Sequence, residues 1–124
     1  MELKPVFENK EIYPKGWGHE LWICNNNKYC LKKLIFNKSA KFSMHYHLIK
    51  DETWYVEKGN FIFNWIDTSD ATIYTKELKE GDTVRIPPGM PHQLQSLDDG
   101  VILEASTQHF EYDNYRVIKG DSQK

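Results

Sequence analysis

Thr53-Trp-Tyr-Val-Glu57 and Phe61-Ile-Phe-Asn-Trp-Ile66 are two short runs of β-branched and aromatic residues, separated by Lys58-Gly59-Asn60. Residues of these types favour extended strands, and a short glycine-containing break between two such runs is typical of a tight hairpin. The stretch from residue 53 to residue 66 therefore predicts two strands joined by a hairpin turn.

Similar runs recur about every eight to twelve residues along the chain, and this spacing is typical of a β-sandwich or β-barrel. Helical periodicity is hard to find. Closing roughly nine antiparallel strands into a barrel-like jelly roll removes exposed strand edges. The predicted fold is therefore all-β, a single-domain jelly-roll β-barrel. The predicted strands are Glu20–Cys24, Tyr29–Phe36, Lys41–His45, Thr53–Glu57, Phe61–Ile66, Ala71–Leu78, Thr83–Ile86, His92–Leu97, Val101–Ser106 and a short closing strand at Tyr115–Ile118.

The length of 124 residues suits one domain. Residues 1–15 carry weak strand signals and are interpreted as an N-terminal arm, residues 16–120 as the barrel domain, and residues 121–124 as a tail. An arm with the apolar residues Phe7, Ile12 and Tyr13 has surface to bury, and two-fold dimers are the commonest oligomers. We therefore expect a homodimer in which the arm packs on the second subunit's barrel.

The composition excludes several classes of protein. The formal net charge is −2, from 16 Lys+Arg and 18 Asp+Glu, so no basic excess favours a nucleic-acid partner. No apolar run approaches the ~20 residues of a membrane span, and the first residues lack the apolar segment of a signal peptide. We expect a cytoplasmic protein without a membrane partner. Glycine-rich phosphate loops and the G-x-S-x-G motif are absent, which argues against kinases, dehydrogenases and hydrolases.

Three histidines and one glutamate form the group of residues with the clearest chemistry. His45 and His47 are two apart on a predicted strand, so their imidazoles point to the same face. Glu52 opens the next strand, and His92 begins another strand after the rigid segment Pro87-Pro-Gly-Met-Pro91. Three imidazoles and one carboxylate are suitable ligands for one divalent Zn, Fe, Mn, Ni or Co ion, with coordination positions left open.

These residues also lie within two spaced motifs. Residues 45–59 read H-x-H-x4-E-x6-G, and residues 81–92 read G-x5-P-x-G-x2-H. Together the motifs resemble the two signature boxes of the cupin superfamily, whose fold is the jelly roll also called the double-stranded β-helix. The resemblance implies that His45, His47, Glu52 and His92 hold a metal ion. The second box often ends in Asn, and here that position is Ser96.

Three further segments resemble the mannose-6-phosphate isomerase-like cupins. They are Lys15–Trp22, with its Trp-Gly pair, Glu52–Gly59, and Glu104–Arg116, in which an apolar strand with a glutamate precedes an acidic loop and an arginine. This resemblance implies a carbohydrate ligand, either a sugar phosphate or a nucleotide sugar, and a role in the metabolism of cell-surface polysaccharides.

Strand alternation predicts which other side chains face the cavity. Trp54 shares the face of Glu52, and Ser96 shares the face of His92, so both are candidate substrate contacts. Glu104 is a candidate general base, or else a rim glutamate paired with a surface lysine. Arg116 is a candidate phosphate ligand, or else a structural partner of Asp113 or Asp121. Lys50 is expected either to point away from His45 and His47 or to lie in the turn that follows them.

Three functions are compatible with this pattern. The leading one is a metal-dependent sugar isomerase in which Glu104 moves a proton between adjacent carbons. The second is a sugar-binding accessory or regulatory protein without catalysis. The third is an iron-dependent dioxygenase, since a three-histidine, one-glutamate site also suits oxygen chemistry. The sequence favours an enzyme without deciding the matter.

Overall fold

The computed structural model describes residues 3–124 and shows an all-β protein. Within this range, no helix has the length and apolar character that crossing a membrane requires. A short 3-10 helix, Asp121–Gln123, follows the last strand. The strands are β1 (Glu11–Lys15), β2 (Gly18–Asn25), β3 (Cys30–Phe36), β4 (Met44–Tyr46), β5 (Glu52–Lys58), β6 (Phe61–Asp67), β7 (Thr72–Leu78), β8 (Thr83–Ile86), β9 (His92–Ser96), β10 (Gly100–Ser106) and β11 (Tyr115–Ile118).

The strands form two antiparallel sheets, in agreement with the predicted jelly roll. One sheet has the order β1-β2-β3-β10-β5-β8, and the other has the order β11-β4-β9-β6-β7. Inward-facing residues alternate with outward-facing ones, most regularly in β3 and in the first half of β5. The inward residues pack as one largely aromatic and aliphatic core, which includes Phe36, Phe42, Phe61, Leu94 and Ile102. The fold class predicted from the sequence is confirmed.

The hairpin predicted at Lys58-Gly59-Asn60 is wrong. β5 pairs with β10 and β8, whereas β6 pairs with β9 and β7, so this turn carries the chain from one sheet to the other. Gly59 has a φ of 87°, and a Cβ atom there would lie 3.0 Å from the carbonyl oxygen of Asp99. Two runs that each bury one face against a common core show the same alternation whether they are paired or opposed. The sequence pattern cannot distinguish these arrangements.

The structure places the second half of the N-terminal arm in the sheet. β1 pairs with β2 in register from Glu11 opposite Trp22 to Lys15 opposite Gly18. Pro14 is tolerated because β1 is an edge strand, so the N–H that proline lacks is not needed for pairing with a second neighbouring strand. The mostly exposed pattern of β1 also explains its weak sequence signal. The other predicted strands are present, with β4 beginning three residues later than expected.

The segment predicted as a C-terminal tail packs on the barrel. The N–H of Asp121 donates to the carbonyl of Lys41 at 3.0 Å, and the N–H of Lys41 donates to Asp121 Oδ2 at 2.8 Å. The N–H of Gly16 donates to Ser122 Oγ at 3.0 Å. These hydrogen bonds hold residues 121–122 against Gly16, just before β2, and against Lys41. They place the 3-10 helix at the mouth of an internal cavity.

Candidate metal centre

His45, His47 and His92 converge at one end of the barrel. His45 lies on β4, His47 follows β4 directly, and His92 opens β9 opposite His45. Their candidate ligand atoms all lie within 4.8 Å of one another. The pairing of β4 with β9 therefore brings together residues that are separated by 45 positions or more in the sequence.

The Nδ1 atom of each histidine is engaged outside the cluster. The Nδ1–H of His47 donates to the carbonyl of Asp113 at 2.6 Å, and the Nδ1–H of His92 donates to the carbonyl of Met90 at 2.9 Å. The corresponding contact of His45 is with Ser43 Oγ, at 2.9 Å. Contacts of this kind fix the ring orientation and leave Nε2 available to a metal ion.

Glu52 completes the cluster on the opposite sheet. Its Oε2 lies 3.4 Å from His47 Nε2 and 3.9 Å from His92 Nε2, while Trp54 Nε1 donates to its Oε1 at 2.6 Å. Among the described residues, neither Glu52 Oε2 nor His92 Nε2 has a hydrogen-bond partner, although both atoms are buried. Buried polar atoms without partners are rare, and a cation at this point would satisfy both.

The protonation states of the three histidines suit a metal ion. Burial lowers the pKa of His45 well below its usual value and lowers the pKa of His92 to about 3. The imidazoles are therefore neutral near pH 7, which is the form that ligates metals. Burial and the neighbouring Glu104 carboxylate raise the pKa of Glu52, because both disfavour its negative charge. A bound cation would favour that charge and lower the pKa again. The four residues fit one divalent transition-metal ion.

A cavity of about 130 Å³ extends from this cluster to the protein surface. Lys50 and Glu104 lie inside it, with Lys50 Nζ 2.7 Å from Glu104 Oε2 and each side chain only 5% exposed. Lys50 lies in the loop from β4 to β5, which is one of the two predicted alternatives, but its side chain enters the cavity and does not point away from the histidines. Glu104 is not a rim residue, since its partner is a buried lysine rather than a surface one.

Glu104 is held in its ionised form. Burial alone would raise its pKa, but the ammonium groups of Lys50 and then Lys32 hold the pKa of Glu104 well below its usual value. Lys32 lies directly opposite Glu104 on the neighbouring strand β3. The ammonium of Lys32 also contacts Glu20 at 3.3 Å and His109 Nδ1 at 3.2 Å. Positive and negative side chains thus alternate along the cavity wall.

Two of the predicted substrate contacts lie at the cavity. Trp54 is buried in its wall and orients Glu52 through the indole hydrogen bond. Arg116 is exposed at its mouth and forms no ion pair within residues 3–124. The alternative partners predicted for Arg116 are occupied: Asp113 accepts backbone N–H groups, and Asp121 contacts Lys41 and Lys124.

The structure does not bring Ser96 to the cavity. Ser96 is fully buried at the far end of β9, about 13 Å along the strand from His92 at the usual rise per residue. Its hydroxyl donates to the carbonyl of Asp98, which ends the strand. Alternation correctly placed Ser96 on the inward face, but it does not say which end of the barrel a residue occupies.

Sequence reasoning did not assign to the site three residues that line the cavity, Lys32, Lys50 and His109, or Asp113, whose carbonyl accepts a hydrogen bond from His47. Lysine and aspartate are ordinarily surface residues, so their types gave no signal. The alternation of β3 does place Lys32 on the buried face of its strand, with Cys30 and Leu34. That pattern was the one available hint of a buried charge.

Comparisons with known proteins agree with this geometry. The sequence model of the cupin domain matches residues 33–105, a segment that contains the three clustered histidines and Glu52. No curated protein sequence matches significantly. Similar solved structures include oxalate decarboxylase from Bacillus subtilis (TM-score 0.76, 16% identity, 88% of this chain and 30% of that one) and the capsular polysaccharide assembling protein CapF from Staphylococcus aureus (TM-score 0.75, 17% identity, 90% of this chain and 33% of that one).

The chain thus spans about a third of the length of each of these two proteins, and at such identities the likeness concerns the fold. The matched domain, by contrast, covers more than half of the 124 residues. Together with the jelly roll and the converging histidines, this match shows that the protein belongs to the cupin superfamily.

Proposed function

We propose that this protein is a metal-dependent cupin enzyme that isomerises a sugar phosphate in its open-chain form. The observation that carries the proposal is the buried Lys50–Glu104 pair, which lies in the same cavity as the histidine cluster. A proton donor and a proton acceptor in contact beside a metal centre are the groups that an aldose–ketose proton transfer requires.

When bound, a divalent metal ion supplies a Lewis acid that polarises the carbonyl and the adjacent hydroxyl of an open-chain sugar. Glu104 accepts the proton from the carbon beside the carbonyl and returns it to the former carbonyl carbon, while the hydroxyl proton passes from one of the two substrate oxygens to the other. Lys50 donates a hydrogen bond to the substrate oxygen. As its ammonium turns from Glu104 to the substrate, Glu104 loses its closest positive charge and becomes a stronger base.

The mouth of the cavity supports an anionic substrate. Arg116 and Lys15 both lie there, and the Arg116 guanidinium has no carboxylate partner among the described residues. A planar guanidinium suits bidentate binding of a phosphate. The fold shared with CapF, a capsular polysaccharide assembling protein, is consistent with a role in polysaccharide metabolism.

The test is hydrogen exchange at carbon. We would incubate the manganese-loaded protein anaerobically with a panel of hexose phosphates in D2O and follow the carbon beside the carbonyl by NMR. We expect deuterium incorporation, and we expect Glu104→Gln to lower kcat by roughly 10²–10⁴-fold. Glu57→Gln is the matched control, because Glu57 is half-exposed and pairs with Lys33 outside the cavity.

One observation favours the non-catalytic alternative. A carboxylate whose pKa is held low by two lysines is a weak base, so the cavity could bind a sugar derivative without turning it over. Calorimetric binding without deuterium incorporation across the panel would favour this alternative. Oxygen consumption by the iron-loaded protein would instead favour the dioxygenase.

We also infer that the protein functions as a cytoplasmic homodimer. The cytoplasmic location is inferred from the proposed substrate class, the sugar phosphates. The dimer is supported by the arm, where Leu3, Val6 and Phe7 are 83–92% exposed. Contact with the barrel of a second subunit would remove this apolar surface from water.

A further inference from the structure

We propose that Asp113 is a positioning residue that sets the geometry of the metal centre and of Lys50 together. It lies in the segment between β10 and β11, outside both motifs, and is 2% exposed. In residues 3–124 its carboxylate has no cationic side-chain partner. A buried carboxylate in such surroundings is costly unless other donors stabilise it.

The donors are three consecutive backbone N–H groups of the loop from β4 to β5. Oδ1 accepts from Leu48 at 2.7 Å and from Ile49 at 3.2 Å, and Oδ2 accepts from Ile49 at 3.2 Å and from Lys50 at 3.0 Å. This loop joins His47 to Glu52, so the carboxylate holds the chain segment that connects two of the candidate metal ligands.

The main chain of Asp113 acts on the same loop. Its carbonyl accepts the Nδ1–H of His47 at 2.6 Å, which fixes the tautomer that presents Nε2 to the cluster. Its own N–H donates to the carbonyl of Phe110 at 3.0 Å, so the residue is anchored in its segment. One residue therefore orients the His47 ring and shapes the turn that follows it.

The conformation of this turn also determines where the Lys50 side chain lies. With its N–H bound to Asp113 Oδ2, Lys50 directs its side chain into the cavity, where Nζ reaches Glu104. Releasing the turn would let the lysine move to solvent, which is where a lysine is ordinarily found. Asp113 would hold the metal ligands and Lys50 in this way whichever substrate the cavity binds.

The first test is Asp113→Asn, measured with cobalt(II) as the probe. The amide keeps the side-chain shape but turns one acceptor oxygen into an NH2 donor facing N–H groups. We expect cobalt(II) affinity to fall by about 10–100-fold, the usual effect of losing a group that orients a ligand. We also expect the visible absorption of the cobalt-saturated, folded variant to differ from that of the wild type, which a purely structural residue would not cause.

Asp82→Asn is the matched control. Asp82 is an exposed aspartate whose Oδ2 accepts the N–H of Lys79 at 2.8 Å, in a turn away from the cluster. The control should bind cobalt(II) as the wild type does. A folded Asp113→Asn protein with wild-type affinity and spectrum would overturn the proposal.

A second measurement does not depend on the variant folding. Long-range ¹⁵N–¹H NMR of the metal-free wild type reports which ring nitrogen of His47 is protonated, with signals assigned by their loss in His47→Gln. We expect the Nδ1-protonated tautomer, bonded to the Asp113 carbonyl. Finding the Nε2-protonated tautomer would remove the link between Asp113 and the metal ligand.

Discussion

Lys50 and Glu104 each lose nearly all contact with water, and their charges are balanced mainly by one another. Removing ions from water costs several kcal/mol each, so a buried pair adds little stability over a well-packed apolar pair. Removing one partner is different, because the remaining charge stays buried without its counter-ion. At the scale of single residues, the pair is therefore expected to serve function and to make the protein sensitive to single substitutions.

The first prediction concerns this pair. We expect Lys50→Met to lower the free energy of unfolding by about 3–5 kcal/mol, because Glu104 is left without its closest cation. The measurement is urea denaturation of the metal-free protein. Lys33→Met removes the half-exposed pair with Glu57 and should cost less than about 1 kcal/mol. The double variant Lys50→Met/Glu104→Met should recover most of the loss, and its failure to do so would contradict the argument.

The second prediction is a pH dependence caused by His109. Burial and then the Lys32 ammonium lower the pKa of His109 to about 3, whereas an unfolded histidine titrates near pH ~6.5. Between these values the unfolded chain binds a proton that the folded chain does not. The stability that His109 contributes is therefore complete above pH ~6.5 and falls as the pH is lowered from ~6.5 towards 3.

The measurement is urea denaturation of the metal-free protein between pH 4.5 and 7.5. We expect His109→Gln to take up roughly one proton fewer on unfolding, so its stability should fall less steeply on acidification than that of the wild type. Parallel curves for the two proteins would contradict the prediction.

At the scale of elements, the end of the chain closes the barrel against the start of β2. Gly16 and the 3-10 helix approach so closely that a Cβ atom on Gly16 would lie 2.4 Å from the carbonyl oxygen of Asp121. Ser122 and Gln123 of this helix line the mouth of the cavity. The position of the helix therefore depends on a contact that only glycine allows.

The third prediction follows from this contact. We expect Gly16→Ala to displace the 3-10 helix and to cost about 1–3 kcal/mol of stability, as overpacked sites do. Ser122→Ala should cost about 1 kcal/mol, because it removes one hydrogen bond and adds no clash. The measurements are thermal unfolding and amide hydrogen exchange of residues 120–124. Unchanged exchange in the Gly16→Ala protein would contradict the predicted displacement.

At the scale of the whole molecule, the N-terminal arm carries the three most exposed large apolar side chains of the described residues, Leu3, Val6 and Phe7. Phe7 is 92% exposed, and the described residues before β1 belong to no strand. Several highly exposed apolar side chains in one short segment are typical of an interaction site. The arm is the reason to expect the dimer.

The fourth prediction is that light scattering at tens of micromolar gives the mass of a dimer. Deleting residues 2–9 should give a monomer with the native fold, because β1 begins only at Glu11. Tyr29→Ser, which changes an exposed aromatic residue outside the arm, should remain a dimer. A monomeric mass for the full-length protein would reject the proposed assembly.

Features of the fold and of the site could be predicted from the sequence where they depend on residues close together in the chain. Strand positions followed from local alternation, and the pair His45 and His47 followed from a spacing of two. The partner of each strand did not, as the turn at Lys58-Gly59-Asn60 shows. The place of Ser96 was missed for the same reason, since alternation specifies a face and not a depth.

The sequence by itself determined the all-β class, the inward faces of the strands and the residue types of a metal centre, because each of these is a local pattern or a spaced motif. Only the tertiary structure decided that Lys50 enters the cavity, that Lys32 stands opposite Glu104, and that Asp113 holds the loop between two ligands. Those contacts join residues more than 50 positions apart, and whether a charge is buried depends on the packing around it rather than on its neighbours in the chain.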